Sequence, residues 1–265
     1  MLASSGVRVV RHRDRRRRAR RRRVLRGGAE ALVTVGVLLM LLVVHQLWWT
    51  NREARRGAER QVEALEREWG SGGSGTGLGS TSPTAPGSPT ASAPAAGASS
   101  PRTARRPYVP VGAPRRSQAY AVLVIPRLGL RVPIAEGVSK ADVLDKGYVG
   151  HYQGTQQPGM QGNFALAGHR NTHGEPFRYL PRLRRGDDVE VETRTATYTY
   201  DVDRILPQTS ATDSGVVRAV PRSLVRPSYG YDAPGYYITL TTCTPEFTSR
   251  YRMAVWGKLV STRPR

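Results

Sequence analysis

The spacing of apolar and polar positions changes several times along this chain, and each change predicts a different kind of segment. Ala31 to Trp49 reads ALVTVGVLLMLLVVHQLWW, nineteen residues without a formal charge. As a helix rising about 1.5 Å per residue it spans about 29 Å, close to the hydrocarbon thickness of a bilayer. This predicts a transmembrane anchor over 29–49, with Trp48 and Trp49 where an interfacial aromatic belt would lie. A cleaved signal peptide is the competing reading, but the chain continues TNREARRGAER with no small-residue cleavage site. Residues 50–69, rich in Arg, Glu and Ala, predict a short helical stalk continuing from the anchor. Residues 70–117 are rich in Gly, Ser, Thr, Pro and Ala, without hydrophobic periodicity. Such a stretch buries too little apolar surface to offset its ordering entropy, which predicts a disordered tether.

From Gln118 the pattern becomes globular. AYAVLVIP (119–126), RVPIAEG (131–137), NFALAG (163–168), DVEVET (188–193), TATYTYDVDRIL (195–206), YYITLTTC (236–243) and YRMAVWGKLV (251–260) are β-branched or aromatic runs between turn signals. KADVLDKG (140–147) fits one short helix closing at Gly147. Many short strands and little helix predict a mainly β domain over 118–262, a small and mostly antiparallel barrel or sandwich. The tether shows no packing pattern, so a fragment beginning near Gln118 is expected to fold by itself.

Charge adds orientation. The formal net charge is +21, and residues 1–27 hold 12 Arg against one Asp, whereas Arg52 to Glu68 balances five Arg with five Glu. The positive-inside rule places a basic tail, 1–28, in the cytoplasm and everything after Trp49 outside. A polyarginine run can also bind nucleic acid. Beside a membrane span it serves more simply as a topology signal and a clamp on anionic lipid, so no nucleic-acid partner is expected.

Cys243 is the only cysteine, so no intramolecular disulfide is possible. It closes the run YYITLTT; His169 follows FALAG; Arg252 begins the next strand nine residues after the cysteine. All three sit at strand ends, where a rigid sheet can aim side chains at a cleft. A thiol attacks as thiolate and needs a cationic surrounding. The oxyanion formed on a peptide carbonyl needs a fixed donor such as Arg, and the leaving amine needs a proton that His⁺ can give. Spacing alone leaves rivals: Cys243 as a small core residue, His173 four residues after His169, and Arg250 on the same strand face as Arg252. His151 and His45 read as packing residues. Scattered histidines without acidic partners in register predict no metal site. SGGSGTGLG (71–79) is linker composition and not a nucleotide fingerprint.

The surrounding motifs carry a resemblance. TLTTC (239–243), followed by TPEF and YRMAVWGKL, is similar to the signature strand pair of sortases, the surface transpeptidases of Gram-positive bacteria. NFALAGHRNTHGEPFRYL (163–180) resembles their histidine segment and PRLGLRVPIAEG (126–137) their early strands. The likeness covers about 119–262, and the TLTTCTP form looks most like class E of high-GC actinobacteria. The resemblance implies a closed eight-stranded β-barrel. It also implies that Cys243 is the nucleophile, His169 the general acid/base and Arg252 the oxyanion-stabilising residue. The implied substrate is a C-terminal sorting signal of LAxTG or LPxTG type, cleaved between Thr and Gly through a thioester. An amine on a peptidoglycan precursor then accepts the acyl group. Thr242, beside the nucleophile, is expected to touch substrate, with strand packing as the alternative, and Leu206 to Gly235 to roof the groove. No cofactor or metal is expected. The nearest acid after His169 in sequence is Glu175, past the HG turn, so no carboxylate relay is expected. The resemblance then implies an active form pairing the Cys243 thiolate with the His169 imidazolium. Rival functions on the same scaffold are a hydrolase that finishes with water, a pilus-polymerising enzyme, and a non-catalytic surface-binding module.

Overall fold

A computed structural model describes residues 12–71 and 114–265. The expected tether falls mostly on 72–113, and with residues 1–11 it lies outside the described residues. The chain opens with one helix, α1 (His12–Ser71), which carries the apolar run and the expected stalk without a break. Eight strands follow: β1 (Ala119–Ile125), β2 (Leu130–Glu136), β3 (Val149–His151), β4 (Gly162–Ala167), β5 (Asp188–Thr193), β6 (Ala196–Ser210), β7 (Tyr236–Thr244) and β8 (Tyr251–Pro264). They close in the order β1-β2-β3-β4-β7-β8-β6-β5.

Closure lets every strand pair on both edges, which removes exposed edges. Leu123, Ile134, Phe164, Leu166, Val191, Ile238 and Leu240 are buried and fill the interior. The barrel is mixed: β2 with β3 and β4 with β7 are parallel, and the other pairs are antiparallel. These directions fix what each end holds. The ends of β4, β6 and β7 and the starts of β3, β5 and β8 lie at one end. The start of β1, the β5–β6 turn and the end of β8 lie at the other.

Two local expectations change. The helix expected over 140–147 is only a 3-10 turn at Leu144–Lys146, still closed by Gly147 at φ 81°. The strand β3, VGH, is too short for any alternation to show in sequence.

The stalk is also not free. Ala54, Ala58, Val62 and Leu65 form a buried stripe at helical spacing, and Val62 and Leu65 pack on Val122 of β1. Gly147 is needed beneath the helix, because a Cβ there would lie 2.9 Å from the Ala54 carbonyl oxygen. A fragment beginning at Gln118 therefore loses this cover and exposes Val122. Burial of a Val or Leu side chain contributes about 1.5–3 kcal/mol, so the barrel with residues 50–69 is the more stable unit.

Candidate active site

The three predicted residues come together through strand register. β7 and β8 pair with Cys243 opposite Arg252. On the other side of β7, Ala167 of β4 lies opposite Thr241, and Gly168 N–H donates to the Thr241 carbonyl at 3.1 Å. Continued two residues past the end of β4, that parallel register sets His169 beside Cys243. Adjacent strands lie about 4.8 Å apart, so His169, Cys243 and Arg252 form one row across three neighbouring strands.

The histidine segment is held by its own chemistry. The Phe177 N–H donates to the His169 carbonyl at 2.9 Å, and Phe177 is fully buried. A Cβ on Gly168 would stand 2.7 Å from the Phe177 ring, which explains glycine before the histidine and phenylalanine after the loop. Between them His173 (φ 51°) and Glu175 (φ 53°) flank Gly174 (φ 82°) in left-handed backbone. Left-handed conformations disfavour side chains, and such residues persist where their surroundings over-determine them. Here the surroundings are the helix. Asn51 Nδ2 donates to Glu175 Oε1 at 2.9 Å, Arg55 donates to Glu175 Oε2 and the Gly174 carbonyl at 3.0 Å each, and Arg178 donates to Glu175 Oε2 at 2.7 Å.

His169 has a carboxylate partner after all. Its Nε2–H donates to Asp145 Oδ1 at 2.8 Å, from the 3-10 turn 24 residues upstream. The expectation of no acidic partner fails because it counted along the chain, whereas β3 and β4 pair and bring their ends together. Engaging Nε2 leaves Nδ1 as the free ring nitrogen. Burial lowers the His169 pKa below its ordinary value; Asp145 pulls it back up without offsetting the loss, and His173 and Lys140 lower it further. This shift disfavours the imidazolium form of His169.

His173 stands at the same carboxylate, with Nδ1 3.6 Å from Asp145 Oδ1. Ligand atoms of Asp145, His169 and His173 lie within 4.8 Å of one another. The acidic partner that sequence spacing did not reveal is therefore present, and this set could hold a divalent cation. Bound there, a cation would occupy His169 Nε2.

Arg252 donates from Nη1 to the carbonyls of Ser249 at 2.8 Å and Tyr251 at 3.0 Å. It lines a cleft of about 260 Å³ with Tyr152, Thr241 and the 210–217 segment. The expected roof, 206–235, thus supplies one wall of this cleft. Asp213 builds that wall, accepting from Thr209 Oγ1 at 2.6 Å, from Ser223 Oγ and from Leu224 N–H at 2.9 Å. Burial acts to raise its pKa, but these hydrogen bonds outweigh it and hold the carboxyl below its usual range.

Thr242 corrects one expectation. It is 2% exposed, and its hydroxyl donates to the Gly168 carbonyl at 2.8 Å. It locks β7 to the histidine segment and does not face the cleft. Two contributors were missed in sequence. Asp145 had no local signal. Arg170 directly follows His169 and donates to the Cys243 carbonyl at 3.3 Å and Thr244 Oγ1 at 3.0 Å. His151 is buried among Tyr120, Glu136, Thr155 and Gln156, a packing residue as expected.

A closed barrel that presents a thiol, an imidazole and a guanidinium in one row defines a scaffold for cysteine-based acyl chemistry. Comparison makes this specific. Residues 123–260 match the Sortase domain. Sortase SrtE1 of Streptomyces coelicolor is 42% identical over 227 residues, which cover 84% of this chain and 53% of that protein. Sortase SrtE2 of the same organism is 32% identical over 224 residues, covering 83% of this chain and 75% of the relative. The crystal structure of Sortase E1 from S. coelicolor with a tripeptide in the active site aligns with a TM-score of 0.53 at 52% identity, covering 58% of this chain and 94% of that one. The chain belongs to the sortase family, and these relatives set it with class E. Its match spans about half the length of SrtE1.

Proposed function

We propose that this chain is a membrane-anchored cysteine transpeptidase acting on sorting signals at the cell surface. The observation that carries the reading is the pairing of Cys243 with Arg252 across β7 and β8, with His169 just past the end of the neighbouring β4. The Cys243 thiolate attacks the Thr–Gly carbonyl of a C-terminal signal of LAxTG or LPxTG type. Arg252 stabilises the oxyanion. His169 gives its proton to the departing Gly amine, leaving a thioester on Cys243. An amine of a peptidoglycan precursor then attacks the thioester, His169 takes up its proton, and a new amide bond releases the thiol. In this reading 1–28 is cytoplasmic, 29–49 crosses the membrane, 70–117 is a tether outside it, and 118–262 is the catalytic domain. One apolar helix long enough to span supports the anchor. The resemblance of the TLTTCTP motif to class E favours Ala at the second signal position.

The test incubates the protein with paired Ala- and Pro-type signal peptides and an amine, and weighs the products. Amide product at the Thr carbonyl, faster with the Ala peptide, is expected. Free acid alone would identify a hydrolase and overturn the transfer step.

Asp145 gives this reading a pH signature. If thiolate and imidazolium act together, the acid limb of the rate profile reports His169, and the plateau follows the small fraction holding both charges. Asp145→Asn removes the influence that raises the His169 pKa, so the acid limb moves to lower pH. Each unit of movement lowers the plateau about tenfold, since one pKa unit is about 1.36 kcal/mol. A limb that moves with an unchanged plateau would mean that neutral His169 is the reacting form.

A further inference from the structure

The helix contacts the barrel in a definite order. Asn51, two residues past the Trp48–Trp49 pair, meets Glu175 and Gly174, in the loop that follows His169. Ala54 rests on Gly147, beside the Asp145 turn. Val62 and Leu65 cover Val122, in mid-strand of β1. Trp69 lies under the Arg265 guanidinium, 4.9 Å from ring centre, and Arg265 N–H donates to the Thr195 carbonyl of the β5–β6 turn. The helix therefore runs from the catalytic end of the barrel to the opposite end. Asn51 to Trp69 is about 27 Å at 1.5 Å per residue.

The membrane side of this helix is its N-terminal side, because the exposed apolar run Leu32 to Trp49 precedes Asn51. Trp49 and Thr50 even share a cleft of about 410 Å³ with Asp145, Lys146 and Tyr148. From this geometry we infer that the docked helix holds the barrel with its catalytic end against the bilayer, so the surface around the active site is a lipid-facing surface. The inference rests on the reading of 29–49 as a membrane anchor. Two further observations agree. The loop after His169 is strained and is clamped by Asn51 and Arg55, so the connection between helix and active site is rigid and not a swivel. At this barrel end Lys140, Lys146, Arg182, Arg184 and Arg185 are exposed, against exposed Asp142 and Asp188 and partly exposed Asp145 and Glu246, a balance that suits anionic headgroups. An ordinary helix tilt of about 20° does not reverse the order of the two ends.

The single native thiol makes the test direct. The full-length chain is placed in phosphatidylcholine–phosphatidylglycerol vesicles carrying a headgroup spin label, with a fluorescent maleimide on Cys243. A second chain, Cys243→Ala with Arg194→Cys, carries the same dye on the exposed β5–β6 turn. Quenching several-fold stronger at Cys243 than at the turn is expected. The Asn51→Ala/Arg55→Ala double variant should shrink that difference. Equal quenching, or stronger quenching at the turn, overturns the orientation while leaving membrane anchoring intact. An unchanged difference in the double variant overturns the clamp as its cause. A chain that fails to float with the vesicles removes the anchor reading itself.

Discussion

Cys243→Ala is expected to abolish amide transfer from a sorting-signal peptide, and His169→Ala to slow it by about 10²–10⁴-fold, the usual contribution of a general acid. No second cysteine exists to replace the nucleophile. A second histidine does, however, stand nearby. The His173 ring lies 5.4 Å from the His169 ring, and both face Asp145. His173 is nevertheless held in left-handed backbone beyond the strand end, off the row that register sets beside Cys243. His173→Ala should therefore cost far less than His169→Ala, and the double variant little more than His169→Ala alone. The measurement is the rate of ligated product by mass spectrometry, with thioester trapped in parallel. Transfer surviving in Cys243→Ala would end the mechanism. Activity surviving in His169→Ala but lost in the double variant would hand the role to His173.

How much of this was legible in the chain depends on the range of each interaction. The strands were readable because alternation and turn residues are local signals; β5 at Asp188–Thr193 matches its sequence run throughout. Cys243, His169 and Arg252 stood out as candidates because each lies near a strand end and within a family motif, and register brings Cys243 and Arg252 opposite one another. Asp145 was not, since its bond to His169 joins residues 24 apart through pairing of β3 with β4, and β3 has only three residues. The docking of the helix was hidden for a related reason. Ala54, Ala58, Val62 and Leu65 form a stripe of small and medium residues among charges, and a stalk of Arg, Glu and Ala reads the same whether solvated or packed. The partner surface comes from residues far along the chain: Val122 beneath Val62 and Leu65, Gly147 beneath Ala54, and Glu175 on Arg55. Thr242 shows the opposite error. Proximity in sequence to a nucleophile suggested contact with substrate, but neighbouring strand residues point to opposite faces, and its hydroxyl is used inside the sheet.

Arg252→Ala is expected to reduce transfer by about 10²–10³-fold, the loss typical of removing one oxyanion donor, whereas Arg250→Ala should leave it near the wild-type rate. Both arginines lie at the start of the β8 segment, so sequence spacing does not separate them. Register does. Arg252 is paired directly with Cys243 and lines the cleft with Thr241 and Tyr152. Arg250 precedes the strand, is exposed, and lays its guanidinium 5.2 Å from the centre of the Tyr251 ring. The Arg252 side chain is anchored through Nη1 to two carbonyls of its own turn, Ser249 and Tyr251. That anchorage leaves its other N–H groups to meet a developing charge. Anchoring and donating at once requires the planar five-donor fork, so Arg252→Lys should fail nearly as badly as Arg252→Ala. The loss should fall mainly on the acylation rate at saturating peptide, because the oxyanion exists only as the thioester forms and breaks. Rapid mixing of peptide with each variant, followed by trapping of the thioester, measures that step. A full acylation rate in Arg252→Ala with collapse in Arg250→Ala would reverse the assignment, and recovery in Arg252→Lys would show that a point charge suffices.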